Sequence, residues 1–186
     1  SGILARCVGG PSGICAGQAW ECEQTIDIVR YQRAKTGALF AACTMGGAAS
    51  QGYEPFGWQK LGFAIGEAFQ VADDLLDYIE VEAVTGKPSG NDLREHKVTL
   101  PLIAALPQMS AAQRSCVDAL FANPTPDDAE IADVVAIVTE CGGIEFARRK
   151  GEEFAAQAEE ALAPVPASPA RQSLADALTY VIDRRS

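Results

Sequence analysis

The stretch Phe69-Gln70-Val71-Ala72-Asp73-Asp74-Leu75-Leu76-Asp77 places three carboxylates within five residues. Around them the sequence is apolar (Phe63, Ile65, Phe69, Val71, Ala72, Leu75, Leu76, Tyr78, Ile79) and reads as a buried helix. At about 100° per residue, Gln70, Asp73, Asp74 and Asp77 share an arc of roughly 100°. Like charges at these spacings repel, and no Lys or Arg stands in the same stripe. Such a cluster is costly in a packed helix unless a cation or a proton offsets it. Oxygen-only ligands suit magnesium, which takes one or two carboxylates and fills its sphere with water and phosphate oxygens. The ordinary explanation of an acidic cluster is a solvated helix face, but such a face mixes signs along its length. This stripe is short, purely acidic and bounded by aromatics, as expected of carboxylates lining a cavity. It points to a magnesium-assisted diphosphate site.

A diphosphate site also needs cations. Lys35-Thr36-Gly37 lies among Ala, Leu and Phe, where a lysine either snorkels to water or points its charge toward a cavity. Lys87 and Lys97 follow the aspartate helix in a loop that could fold back over its end. His96, in the same loop, reads as a surface residue rather than a base. Asp127 and Asp128 form a second acidic pair, in a Pro-rich loop at a helix start. Capping of orphan amides explains them without chemistry. Arg184 and Arg185 read as a basic tail.

The elements that must hold these residues are helical. A helix end over residues 1–10 breaks at Gly9-Gly10-Pro11, and helices are expected over Ile14–Glu23 and Ile28–Ala49. Gly37 inside the latter signals close packing or a bend, because an internal glycine costs about 1 kcal/mol relative to Ala. The aspartate helix spans Phe56–Glu82 behind Pro55, and a polar loop covers Thr85–Asp92. Pro101 opens an apolar helix over Leu102–Leu106. After a loop over Asn123–Asp128, helices follow at Ala129–Glu140 and Ile144–Leu162, separated by Cys141-Gly142-Gly143. Pro164–Pro169 links to a last helix, Ala170–Asp183, and no internal repeat is visible.

Nearly half of the 186 residues are hydrophobic, so one all-α domain over residues 1–186 is expected. A formal charge of −10 argues against nucleic acid or an anionic membrane surface as the main partner. It does not oppose an anionic small substrate, since a local metal and lysines can invert the sign within a pocket. The longest uncharged stretch, Gly37–Tyr53, is too short and too polar to be an integral membrane segment. None of the six cysteines (Cys7, Cys15, Cys22, Cys43, Cys116, Cys141) forms a C-x-x-C pair, and they read as small buried residues of a reducing compartment. No signal peptide is visible, and a cytoplasmic location is expected.

In order along the chain, these segments resemble the trans-isoprenyl diphosphate synthase (polyprenyl synthase) family. Gly17-Gln18-Ala19-Trp20-Glu21 is similar to the family's GQxxD segment, and Lys35-Thr36-Gly37-Ala38-Leu39 to its KTG segment. FQVADDLLD resembles its second aspartate-rich motif. Gly86-Lys87-Pro88 through Asp92, then Lys97, Thr99 and Pro101, resemble its GK…D….K.T.P loop. Cys141 to Ala147 and the ending Tyr180-Val181-Ile182-Asp183-Arg184 are also similar. The KTG and GQAWE region is closest to bacterial geranylgeranyl diphosphate synthases, the C-terminal third to longer-chain polyprenyl synthases. Product length stays open.

The resemblance implies an all-α helical bundle of the isoprenoid synthase type, a homodimer, and the condensation of isopentenyl diphosphate with an allylic diphosphate after magnesium-assisted ionisation. Asp73, with Asp74 and Asp77, is then expected to bind magnesium directly or through water. Lys35, Lys87 and Lys97 are expected to bind the allylic diphosphate, and Thr36 and Gln70 to supply dipoles beside the cation. Two departures stand out. Glu21 replaces the family's usual Asp and is assigned no metal. The family's earlier aspartate-rich motif, with the cations that hold isopentenyl diphosphate, has no counterpart before Asp73. The resemblance is therefore to the C-terminal part of a synthase whose N-terminal helices are missing here, and this segment alone is expected to be inactive in chain elongation. A non-catalytic subunit of a complete synthase and a class I terpene synthase are the alternatives. The KTG and GKP segments favour chain elongation, and retention of the aspartates and lysines argues against a purely structural partner.

Overall fold

A computed structural model describes residues 2–20, 27–79 and 90–182. Every regular element among them is helical. In chain order these are α1 (Gly2–Val8), α2 (Ile14–Trp20), α3 (Ile28–Gln32), a π turn (Arg33–Gly37), α4 (Ala38–Ser50), a 3₁₀ turn (Phe56–Trp58) and α5 (Gln59–Ile79). Then come α6 (Asn91–Arg94), α7 (Leu100–Ala105), a 3₁₀ turn (Leu106–Gln108), α8 (Ala111–Ala122), α9 (Asp128–Glu140), α10 (Gly143–Leu162) and α11 (Pro169–Ile182). No described helix is long and apolar enough to cross a membrane. Glu21, Cys22, the segment Gly86-Lys87-Pro88, and Asp183, Arg184 and Arg185 fall outside the described residues.

The described residues form two compact units, one from residues 2–20, 27–70 and 151–182, the other from residues 71–79 and 90–150. In the first, Cys7 of α1 packs with Ala38, Ala41, Ala42 and Met45 of α4. Small residues let the next helix come close. A Cβ on Gly62 would stand 2.4 Å from Ala41 Cα, and one on Gly66 only 2.7 Å from Gly37 Cα. The glycines at i and i+4 of α5 thus form the flat strip on which α4 and the π turn rest. On another side, Leu61 and Ala64 join Ala155, Ala158, Leu162 and Leu178 from α10 and α11.

The second unit is built on Tyr78, Leu93, Leu102, Ala105, Val117, Leu120, Ile131, Val134, Val138 and Ile144. Gly90 is fixed here twice over: its φ is +75°, and a Cβ would lie 2.3 Å from Ile131 Cγ2.

Three expectations change. The helix expected over Ile28–Ala49 is interrupted by the π turn at Arg33–Gly37. The helix α8 went unanticipated, although Ser110 and Gln113 make a reciprocal capping box at its start. The cysteines are not uniformly buried: Cys7 is, but Cys15 and Cys43 are exposed, each lying on an outward helix face, and all described cysteines are free.

Candidate functional site

Asp27 caps α3, its carboxylate accepting the Arg30 N–H at 3.2 Å. One turn later the chain widens into the π turn, an insertion that is frequent at functional positions and shifts the facing of every residue after it. This turn carries both Lys35 and Thr36. Lys35 Nζ donates to Tyr31 Oη at 2.8 Å, and its charge lies 5.3 Å from the centre of that ring. Thr36 Oγ1 donates to Gln70 Oε1 at 2.6 Å. Two of the expected site residues, from segments 34 apart in the chain, are thus in direct contact. Sequence reading missed two residues beside them. The Arg33 guanidinium lies 4.3 Å over the Phe63 ring, and its Nε stands 3.8 Å from Glu67 Oε1. Burial, opposed by Arg33, raises the Glu67 carboxyl above its ordinary value. The available signal was Glu67 itself, a lone acid in the apolar run Gly62–Phe69 and on the face of Gln70.

Gln70 and the aspartates follow each other on α5, but the three carboxylates have different surroundings. Asp73 is exposed. Asp74 is buried, with one oxygen 3.4 Å from the Leu100 amide, which donates to it. Asp77 is half-buried, and its two oxygens accept the N–H groups of Asn91 and Asp92, each at 2.9 Å. It caps α6 from outside, supported by the Gly90 N–H donating to the Asp77 carbonyl at 2.7 Å. Burial raises the Asp77 carboxyl above its ordinary value; the Asp92 amide bond opposes this, and the Asp92 charge adds to it. Among the described residues, no three His, Cys, Asp or Glu side chains converge as a metal cage.

Lys97 Nζ lies 2.6 Å from Glu95 Oε2 and 3.3 Å from Asp92 Oδ1. The Glu95 bond, first, and Asp92 push its ammonium well above the usual lysine range, so it stays charged. Lys87 lies outside the described residues. His96 is not a simple surface residue: it is half-buried at φ 55°, its Nε2 is 2.8 Å from the Asn123 carbonyl oxygen, and its ring packs beside Phe121. Asp127 caps α9 as expected, accepting the amides of Ala129 and Glu130 at 2.9 Å, while Asp128 meets Arg94 at 2.7 Å.

The fold is that of the isoprenoid synthase helical bundles. It matches a polyprenyl synthase from Caulobacter crescentus, solved with calcium and isoprenyl diphosphate, with a TM-score of 0.86 and 28% identity over 100% of this chain and 58% of that one. The polyprenyl synthetase family model matches residues 9–138, and the chain belongs to that family. Among curated relatives, a geranylgeranyl diphosphate synthase of Cereibacter sphaeroides is 56% identical over 89 residues, 48% of this chain and 31% of the relative. A short chain isoprenyl diphosphate synthase of Methanothermobacter thermautotrophicus is 32% identical over 181 residues, 92% of this chain and 55% of the relative. The chain thus spans about half the length of such relatives or less.

Proposed function

We propose that the chain carries one wall of a trans-prenyltransferase site, whose reaction joins isopentenyl diphosphate to an allylic diphosphate and yields geranylgeranyl diphosphate or a longer homologue. The observation that carries this reading is the Thr36–Gln70 hydrogen bond. It ties the KTG turn to the aspartate helix one turn ahead of Asp73. Family membership supports the same reaction class, and so does a neighbour solved with isoprenyl diphosphate.

The hard oxygen donors of the aspartate stripe fit magnesium, which needs only one or two carboxylates. Asp73, exposed and at the head of the stripe, is the direct ligand in this reading. Asp74 and Asp77 act through water, because one oxygen of Asp74 and both of Asp77 already accept backbone amides. When bound, the ion would neutralise charge on the departing diphosphate. Lys35 and Lys97 hold positive charge on that diphosphate, each leaving the partner that now occupies it, and Lys87 is the third such lysine. Thr36, whose hydroxyl donates its hydrogen bond to Gln70, keeps its oxygen lone pairs outside that bond. They are suited to a developing carbocation. The whole enzyme in this reading is a cytoplasmic homodimer, and the chain by itself does not elongate prenyl chains.

Titration calorimetry of the 186-residue chain with an allylic diphosphate tests this. Binding should require magnesium and vanish in Asp73→Asn. Equal binding with and without magnesium would sink the metal assignment, and elongation by the isolated chain would refute its inactivity.

A further inference from the structure

Among the described residues, Glu67 Oε1 is the one buried side-chain nitrogen or oxygen without a hydrogen-bond partner. Its side chain is only 7% exposed, and the nearest cation, Arg33 Nε, stands 3.8 Å away, too far for a hydrogen bond. Burying a carboxylate so poorly satisfied is costly, and an apolar residue would pack α5 more cheaply. The position of the strain matters. Phe63, Gly66, Glu67 and Gln70 occupy i, i+3, i+4 and i+7 of α5, one face, and each meets the π turn. Phe63 lies beneath Arg33, Gly66 closes on Gly37, Glu67 attracts Arg33, and Gln70 accepts from Thr36. Of these four residues, only Glu67 brings a full opposite charge to Arg33, the first residue of the turn. The guanidinium is half-exposed and would otherwise be drawn to solvent, uncovering Phe63.

We propose that Glu67 is a positioning residue: by holding Arg33 down on Phe63 it fixes the π turn in the register that presents Lys35 and Thr36. Arg33 and Lys35 are the cations of the turn, and Arg30, on the preceding helix, is engaged over Trp20. Glu67 therefore acts through Arg33 and needs no contact with substrate. The binding consequence rests on the function proposed above; the positioning itself does not.

The test uses the 186-residue chain with Glu67→Gln, which keeps shape and removes charge, and Glu67→Asp as the conservative variant. Amide hydrogen exchange is read residue by residue. Glu67→Gln should speed exchange of residues 33–37 by about tenfold, with α8 and α9 unchanged. Glu67→Asp should restore part of the protection. Arg33→Gln, at a half-exposed position, should give the same local loss, and the double variant no further loss. Unchanged exchange of residues 33–37 in both single variants would overturn the proposal, as would additive effects in the double variant. Magnesium-dependent binding of inorganic pyrophosphate, measured in parallel, should weaken about tenfold in Glu67→Gln. If the unsubstituted chain binds no pyrophosphate, the diphosphate reading fails, while the exchange data still decide the role of Glu67.

Discussion

The hydroxyl of Thr36 donates to the side-chain carbonyl of Gln70 at 2.6 Å, joining the π turn to the helix that bears the aspartates. A bond this short between neutral groups, half-buried, contributes about 1 kcal/mol net. Thr36→Val keeps the shape of the side chain and removes the donor. It should lower stability by about 1 kcal/mol in urea unfolding, whereas Thr36→Ser should stay within about 0.5 kcal/mol of the unsubstituted chain. An unchanged midpoint for Thr36→Val would show that the bond contributes nothing to folding.

Glycines of the first unit separate close approach from open surface. Gly66→Ala drives a methyl to 2.7 Å from Gly37 Cα, and neither backbone can retreat without moving a helix. Overpacking of this kind costs about 1–3 kcal/mol. Gly46 lies inside α4 with nothing near its missing Cβ. Gly46→Ala should therefore stabilise by about 0.5–1 kcal/mol, the ordinary gain of alanine in a helix interior. Thermal melts of the two variants should move in opposite directions.

Tyr78 and Thr99 share a buried hydrogen bond of 3.2 Å in the second unit. Burial, foremost, and the nearby charges of Asp77, Asp74 and Asp92 push the phenol above its ordinary value of 10.0, against the Thr99 bond. The folded state therefore favours the neutral phenol. That contribution is complete below pH 10 and is lost as pH rises above it, where the unfolded chain ionises first. Tyr78→Phe should cost about 1 kcal/mol at neutral pH. Above pH 10 its stability should fall less steeply than that of the unsubstituted chain in chemical denaturation. Parallel curves would place the alkaline sensitivity elsewhere.

Much of this was legible in the residues. The 3.6 period, the Gly-Pro breaks and the caps mark both ends of α9 and α10 and the start of α11 to within one residue, and Asp127 was readable as a cap because acid, Pro-rich loop and apolar run stood together. The KTG and FQVADDLLD segments named the family. The π turn was hidden, because an inserted residue changes hydrogen bonding without changing composition. Helix α8 was hidden for another reason: Ala111–Ala122 is mostly exposed and mixes polar and apolar residues, so its face is weak and only the capping box announces it. The aspartate stripe gave position but not partner. Nothing in the spacing of Asp77 indicates that amides 14 and 15 residues ahead would occupy both its oxygens. Long-range polar pairing of that kind depends on how a loop returns, which local sequence does not encode.

Asp73 and Asp77 should consequently behave differently when substituted. Asp73 is exposed and, among the described residues, holds no hydrogen bond or ion pair, so Asp73→Asn should leave stability within about 0.5 kcal/mol. It should remove magnesium-dependent diphosphate binding if the proposed metal role holds. Asp77 holds the start of α6 through two amides, the arrangement of a helix cap supplied from another helix. Asp77→Ala leaves both amides without that partner and should cost about 1–2 kcal/mol, the loss seen when a capping side chain is removed. The raised carboxyl value adds a pH signature. Because the folded state disfavours ionisation of Asp77, its net electrostatic contribution is most favourable below pH 3.8 and is lost as pH rises through the elevated value. Asp77→Ala removes that dependence, so its stability deficit should be greatest in acid and shrink toward neutral pH. A deficit that instead grows with pH would mean that the two amide bonds outweigh burial for the charged form.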